Sequence, residues 1–396
     1  MELKTNKEYS KWDQTYYVPT FKRYPIALER GKGCRVWDVE GTEYLDALAG
    51  IAVNNLGHCH PAVVEAIQKQ AEKLIHISNF YVSEPQVRLS QKLVELSGLN
   101  RVFFTNSGAE SVEGAMKFAR KYAHKKGRGG KVISMKNSFH GRTLATIATG
   151  KKAYQEGFHP IPKGFISVPL HDMDQLEQEM DKDTAAVIVE PIQGEGGIHP
   201  ADAKYIEQVR KMCDDNDVIL IFDEIQCGMG RTGKMFAKEH YSVEPDIVTL
   251  AKGLGAGVPI GAILINEKVS DAIDFGDHGT TFGGNPLVCA ASLAAVNELA
   301  RPEFLQEVMV KGNEIMQEVN SWTDMGVKEV RGIGLMIGIE FEFETKPLAL
   351  EMLHRKVLSN ATAGHVLRLV PPLIISRDEI RHLLDTIRES VKAISS

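Results

Sequence analysis

The sequence predicts an α/β protein: a large domain with a mostly parallel sheet covered by helices, plus a small α+β domain built from both chain ends. Three observations carry this expectation. From about Arg101 the chain alternates short apolar runs, glycine-bearing turns and helical patterns. Two of the apolar runs, Val218–Asp223 and Ile247–Ala251, lead directly into residues with chemical use, Asp223 itself and Lys252. Hairpin-like and mixed patterns are confined to the two ends. The expected division is 1–55 and 301–396 for the small domain and 56–300 for the large one.

In chain order, Arg35–Asp46 reads as a hairpin turning near Glu40 and Gly41. His58, Cys59 and His60 then precede a helical pattern from Ala62 to Leu74. Neighbouring side chains on extended backbone point in alternate directions, and no further ligand pair follows at a familiar spacing, so no metal site is expected. Val102–Thr105 is a short buried strand, and Asn106-Ser107-Gly108-Ala109-Glu110 opens a helix with Val112, Met116, Ala119 and Tyr122 on one side. Ser107 and Glu110 have capping-box spacing. The free N–H groups of this helix start, with Gly108 allowing close approach, suit a phosphate. A plain capped helix explains the same motif.

Further strands are expected at Val132–Met135, Ala185–Glu190, Val218–Asp223, Ile247–Leu250 and Ala262–Ile265, with a helix over Ala203–Asp214. A helix-rich stretch runs from Pro286 to about Ser321. Val330–Phe341 reads as one strand, Leu348–Leu358 as a helix and Val366–Ile375 as another strand. Ser376 and Glu379 repeat the capping-box spacing before an amphipathic terminal helix.

Composition narrows the function. With 396 residues, 43% hydrophobic and 25% charged, the chain is of ordinary globular make-up. A net charge of -6 argues against a nucleic-acid surface. No apolar run approaches the roughly 20 residues of a membrane span, and the polar start lacks the apolar segment of a secretion signal. Five scattered cysteines without a Cys-x-x-Cys pair fit free thiols in a reducing cytoplasm. Two glycine motifs are near misses. Gly228–Lys234 fits the P-loop spacing, but Met235 stands where a magnesium-binding Ser or Thr is needed. In Gly253-Leu-Gly255-Ala-Gly257 the third glycine of a dinucleotide fingerprint is missing, because Ile260 stands where it should follow Gly255-Ala-Gly257.

The chemistry is expected at Asp223 and Lys252. A lysine at the carboxyl edge of a buried strand loses its proton cheaply, since desolvation disfavours the ammonium, and a neutral amine can form a Schiff base with a carbonyl. A surface lysine opening a glycine turn is the competing account. If the two strands are parallel neighbours, Asp223 and Lys252 emerge on one edge, as a bound pyridine aldehyde requires.

Six motifs together carry a family resemblance: Asn106-Ser-Gly-Ala-Glu110, Phe139-His-Gly-Arg142-Thr, Glu190-Pro-Ile-Gln-Gly-Glu195, Asp223-Glu-Ile-Gln226, Ala251-Lys252-Gly, and Gly279-Thr-Thr281-Phe-Gly-Gly-Asn-Pro286. Nearly end to end, the chain resembles the fold-type I pyridoxal-phosphate aminotransferases of class III, the ornithine, acetylornithine and 4-aminobutyrate group. Within it, the bacterial acetylornithine branch is most similar. The resemblance implies that Lys252 forms the Schiff base and moves a proton, while Asp223 holds the pyridine nitrogen protonated. It also implies that Gln226 reaches the ring hydroxyl and Phe139 stacks on the ring. Ser107, Gly108 and Ala109 match the phosphate site, and Thr281 matches a phosphate ligand given by the other subunit of a homodimer with shared active sites. Arg142 matches the α-carboxylate receptor, Thr280 lies close to the substrate, and Glu195 with Arg368 matches a gate for the second carboxylate of glutamate.

The activity so implied is transfer of the δ-amino group of N2-acetylornithine to 2-oxoglutarate, within arginine biosynthesis. Ornithine-specific relatives carry a tyrosine where Ile51 stands, and an acylated nitrogen suits an apolar neighbour better than a free ammonium does. Succinylornithine, ornithine and 4-aminobutyrate are the alternative donors, and a pyridoxal-phosphate-binding regulator without turnover is the alternative of another class. Two departures from the family pattern stand out: Ser111-Val112 follows the phosphate motif, and Cys227 follows Gln226.

Overall fold

The structure, a computed structural model, describes residues 4–395. Its centre is a seven-stranded sheet made of β1 (Arg101–Thr105), β2 (Lys131–Met135), β3 (Phe165–Val168), β4 (Thr184–Val189), β5 (Ile219–Asp223), β6 (Ile247–Leu250) and β7 (Gly261–Ile265). Their order across the sheet is β1-β7-β6-β5-β4-β2-β3. All pairings are parallel except those of β7, which runs antiparallel to both β6 and β1. Burial on both faces explains why these strands read as unbroken apolar runs. Successive side chains point to opposite faces. Thus Val132, Ala186, Ile188, Ile219, Ile221 and Ile247 pack with Val112, Met116 and Ala119 of the helix Gly108–Lys125. Ile133, Val187, Val189, Leu220, Phe222 and Val248 join the opposite core, to which Ile206 and Val209 of the helix Ala203–Asp215 belong.

Both chain ends meet in one small sheet. Leu28–Lys32, Arg35–Asp38 and Glu43–Asp46 form an antiparallel meander, and Val357–Leu358 adds parallel to its last strand. A second, antiparallel sheet holds Val327–Ile333, Met336–Phe341, Val366–Leu369 and Asn360–Thr362. Here the sequence reading needs three corrections. The single strand expected over Val330–Phe341 is the core of a hairpin, because Gly334 turns the chain with φ 57 inside the apolar run. The helix expected over Leu348–Leu358 is Thr345–His354, and its last residues leave to pair as a strand. Phe165–Val168 is a further strand of the central sheet that the sequence reading did not include.

The near-miss P-loop is a buckle between these sheets. Arg231 is fully buried and, among the described residues, faces no carboxylate at hydrogen-bond distance. Its Nη1 donates to the carbonyls of Leu335 (3.0 Å) and Pro371 (2.5 Å), and its Nη2 to Asn55 Oδ1 (2.6 Å). Asn55 Nδ2 in turn donates to the Met229 carbonyl at 2.8 Å. Burial pushes the guanidinium down to about 9. Replacing Arg231 by Met orphans three buried acceptors, at a cost of about 3 kcal/mol. The expected outcome is a thermal midpoint lowered by several degrees in a melting experiment; an unchanged midpoint would show that the buckle carries no stability.

Candidate active site

The sheet's carboxyl edge opens into a cavity of about 460 Å³. It is built where β5 and β6 run parallel with Asp223 opposite Thr249. This register delivers Asp223 and Lys252 to the same edge, and both line the cavity with Ser107, Gly108, Ala109, Phe139, Arg142 and Gln226. Eight of the residues singled out in the sequence therefore meet in one place.

Each is held by local structure. Ser107 caps its helix by accepting from Glu110 N–H at 3.3 Å. The capping box is only half formed, because the Glu110 carboxylate turns instead to the Asn106 main-chain N–H (2.7 Å) and side-chain amide (2.9 Å). Gly141, at φ 139, passes so close to this helix start that a Cβ would lie 2.7 Å from that of Ala109. Ser111 ties the helix start to the lysine strand: its hydroxyl contacts Thr105 Oγ1 (2.7 Å) and the Leu250 carbonyl (3.1 Å). That accounts for one departure from the family pattern. The other, Cys227, is a buried thiol on the Asp223 carbonyl at 3.8 Å, pushed far up by burial and by the charges of Glu224 and Asp223.

Asp223 is oriented on both oxygens. Oδ1 accepts from Ile225 N–H (3.1 Å) and the Thr249 hydroxyl (3.2 Å), while Oδ2 lies 2.6 Å from His140 Nδ1. Burial opposes protonation of His140, but the Asp223 carboxylate outweighs it, so the imidazole is raised towards the charged form. Glu190 closes the cluster. Its carboxylate accepts from the N–H of Phe139 (2.9 Å) and of Gly194 (3.0 Å), and burial pushes it up to about 7. Sequence reasoning missed His140 and Glu190, although both lie inside motifs that drew attention; the contact between His140 and Asp223 spans 83 residues.

Lys252 has its ammonium pushed down to about 8, first by burial and then by Arg368. Arg368 is itself buried, paired with Glu195 through Nη1 and with Asn360 Oδ1 through Nη2 at 2.8 Å. Its Nη1 also reaches Gln226 Oε1 at 3.3 Å, which brings the gate pair to the cavity wall. Burial raises the Glu195 carboxyl, but Arg368 outweighs it and leaves it below the usual range.

Three expected residues sit elsewhere. Thr280 and Thr281 lie on a different, surface pocket, where Thr280 Oγ1 accepts from Asn106 at 3.0 Å and Thr281 is exposed. Ile51 does not line the cavity; Val53 does. The reason is a single left-handed turn, with φ 50, 64, 66 and 60 over Ala49–Ala52. β-Branched residues rarely adopt that backbone, and it redirects the chain before Val53.

The donor set fits a phosphorylated pyridine aldehyde. A helix N-terminus offers N–H groups to a phosphate, an aromatic side chain and an oriented carboxylate suit a protonated pyridine, and a lysine of lowered basicity suits the aldehyde. Such an edge defines an enzyme that handles amines through pyridoxal phosphate. The family model for class-III aminotransferases matches residues 16–391, and the chain belongs to that family. It is 54% identical to an acetylornithine aminotransferase of Methanocaldococcus jannaschii over 95% of this chain and 96% of that one. Among solved structures, N-acetylornithine aminotransferase from Stenotrophomonas maltophilia is similar at a TM-score of 0.84 and 37% identity, covering 97% of this chain and 98% of that one. Ornithine aminotransferase from Toxoplasma gondii is similar at a TM-score of 0.95 and 34% identity, covering 100% and 96%.

Because Lys252 is charged below about pH 8 and neutral above, its capture of cofactor should follow that titration. In rapid-mixing experiments with cofactor-free protein, the rate is expected to climb to about pH 8 and then flatten. A rate that keeps climbing past pH 10, as for an ordinary lysine near 10.4, would contradict the burial argument.

Proposed function

We propose that this class-III aminotransferase takes the δ-amino group of N2-acetylornithine and passes it to 2-oxoglutarate, releasing N-acetylglutamate 5-semialdehyde and then glutamate. The observation that carries the reading is the contrast between two arginines. Arg142 stands open at the cavity, while Arg368 is buried beneath Glu195. An acylated donor brings one carboxylate, for which the Arg142 fork suffices. The amino acceptor brings two, and the second requires Glu195 to leave Arg368. The apolar Val53, Val258 and Ile260 at the cavity favour a neutral acyl group over a free ammonium, and the 54% identity to an acetylornithine aminotransferase supports the same donor.

Pyridoxal phosphate supplies an electron sink for the carbon that gives up its proton. The protein supplies the rest in this reading. Ser107, Gly108 and Ala109 hold the phosphate, Phe139 covers the ring, and Gln226 meets its hydroxyl. Asp223, fixed by His140 and Thr249, keeps the ring nitrogen protonated. Lys252 anchors the aldehyde and carries the proton. Thr280 lies by the substrate, and Thr281 serves a second copy of the chain. Exposed Phe80 (93%), Phe275 (111%) and Phe282 (60%) support a homodimer with shared sites. The cofactor-carrying part is 56–300, between 1–55 and 301–396, and the pairing of Val357–Leu358 with Glu43–Asp46 supports joining the two ends. We place the enzyme in the cytoplasm; among the described residues no helix is long and apolar enough to cross a membrane.

Ornithine is the second reading, favoured by the likeness to the Toxoplasma gondii structure. Donor half-reactions decide between them. N2-acetylornithine is expected to bleach the visible cofactor band, and 2-oxoglutarate to restore it, with kcat/KM well above that of ornithine, 4-aminobutyrate or succinylornithine. A band bleached best by ornithine would replace the donor and keep the chemistry. A band unmoved by any amine would contradict the enzymatic reading.

A further inference from the structure

Arg142 differs from most polar side chains of the cavity in how it is held. Asp223, Glu190 and Gln226 are fixed by hydrogen bonds, whereas no hydrogen bond or ion pair engages the Arg142 side chain among the described residues. The residue is also exposed. What it touches is aromatic. Its guanidinium carbon lies 3.9 Å from the centroid of the Tyr154 ring and 5.4 Å from that of Phe139. The two rings meet edge to face, 5.8 Å apart at 90°.

We propose that Tyr154 is a positioning residue for the amino donor: its ring face holds the Arg142 guanidinium flat at the cavity rim and leaves the N–H fork free for a carboxylate. The inference rests on the reading of Arg142 as the α-carboxylate receptor. An exposed arginine otherwise samples many rotamers, and ordering it on binding weakens the donor's affinity. A cation over an aromatic face is already ordered, and the face uses none of the five N–H donors. An ion pair with a carboxylate would order the arginine equally well but would occupy the fork that the substrate needs.

Tyr154 is well placed for this work. It ends the short 3₁₀ turn Lys152–Tyr154, where its N–H donates to the Lys151 carbonyl at 3.0 Å. Gln155 Nε2 anchors the turn to the Ile147 carbonyl at 2.9 Å. Lys151 Nζ reaches the Glu195 carbonyl at 3.1 Å, so one turn supports both the carboxylate receptor and the main chain of the gate. The Tyr154 hydroxyl makes no hydrogen bond among the described residues, which assigns the role to the ring and not to the phenol.

The test uses the holoenzyme and two donors, N2-acetylornithine and N-acetylputrescine, which has the same acyl group and amine without the carboxylate. Tyr154→Leu is expected to raise KM for N2-acetylornithine roughly five- to tenfold, with kcat within about twofold. Its efficiency with N-acetylputrescine should be unchanged, as should its visible cofactor band. Tyr154→Phe keeps the ring and should match the parent with both donors, and Tyr154→Met should repeat the leucine result. An unchanged KM in the Leu and Met variants, an equal loss with both donors, or a loss in Tyr154→Phe would each overturn the proposal. Arg142→Leu separates the two levels. If it leaves the preference for N2-acetylornithine over N-acetylputrescine intact, the reading of Arg142 itself fails. If it abolishes that preference while Tyr154→Leu has no effect, only the role of Tyr154 falls.

Discussion

The parallel pairing of β5 with β6 is the constraint on which the rest depends. With Asp223 opposite Thr249, the carboxylate and Lys252 leave the sheet at the same edge. A slip of one residue would turn Asp223 into the opposite face and break its contacts with Thr249, Ile225 and His140 together. The register is fixed because both faces of these strands are buried, so every alternate residue has a core to fill. The packing that stabilises the fold therefore also sets the geometry of the chemistry.

Around that edge, charge is arranged so that each buried ion has a counterpart. Asp223 faces His140, Glu190 lies close enough to favour the charged imidazole, and Arg368 is covered by Glu195. Unpaired burial of any one of them would be costly. Lys252 is the exception, since it lies close to Arg368 and is buried, and both influences favour its neutral form. In the same way, the open fork of Arg142 contrasts with the fully satisfied one of Arg331, which bonds Glu329, Glu340 and the Gly197 carbonyl. Lys252 and Arg142, the two cations left without a hydrogen bond or ion pair at this edge among the described residues, are groups assigned to meet a ligand directly.

Much of this was legible in the sequence, for physical reasons. Strands buried on two faces leave apolar runs, and the helix start at Ser107 advertises itself through its cap. Asp223, Lys252 and the phosphate motif could be located because each sits at the end of such a run. What stayed hidden was whatever depends on distant contact. The partnership of His140 and Asp223, the clamp of Glu190 on two loops and the shelf of Tyr154 under Arg142 leave no periodic trace. The hairpin at Gly334 was concealed because its turn is as apolar as its strands. That Val53 and not Ile51 lines the cavity was hidden because no sequence rule anticipates four consecutive left-handed residues before Val53.

The most direct measurement is to reduce the holoenzyme with borohydride, digest it and find the cofactor by mass spectrometry. The account predicts a phosphopyridoxyl group on the peptide carrying Lys252 and on no other lysine. A label on another lysine, or a chain that takes up cofactor without any reducible link, would contradict the claim that β5 and β6 build the site.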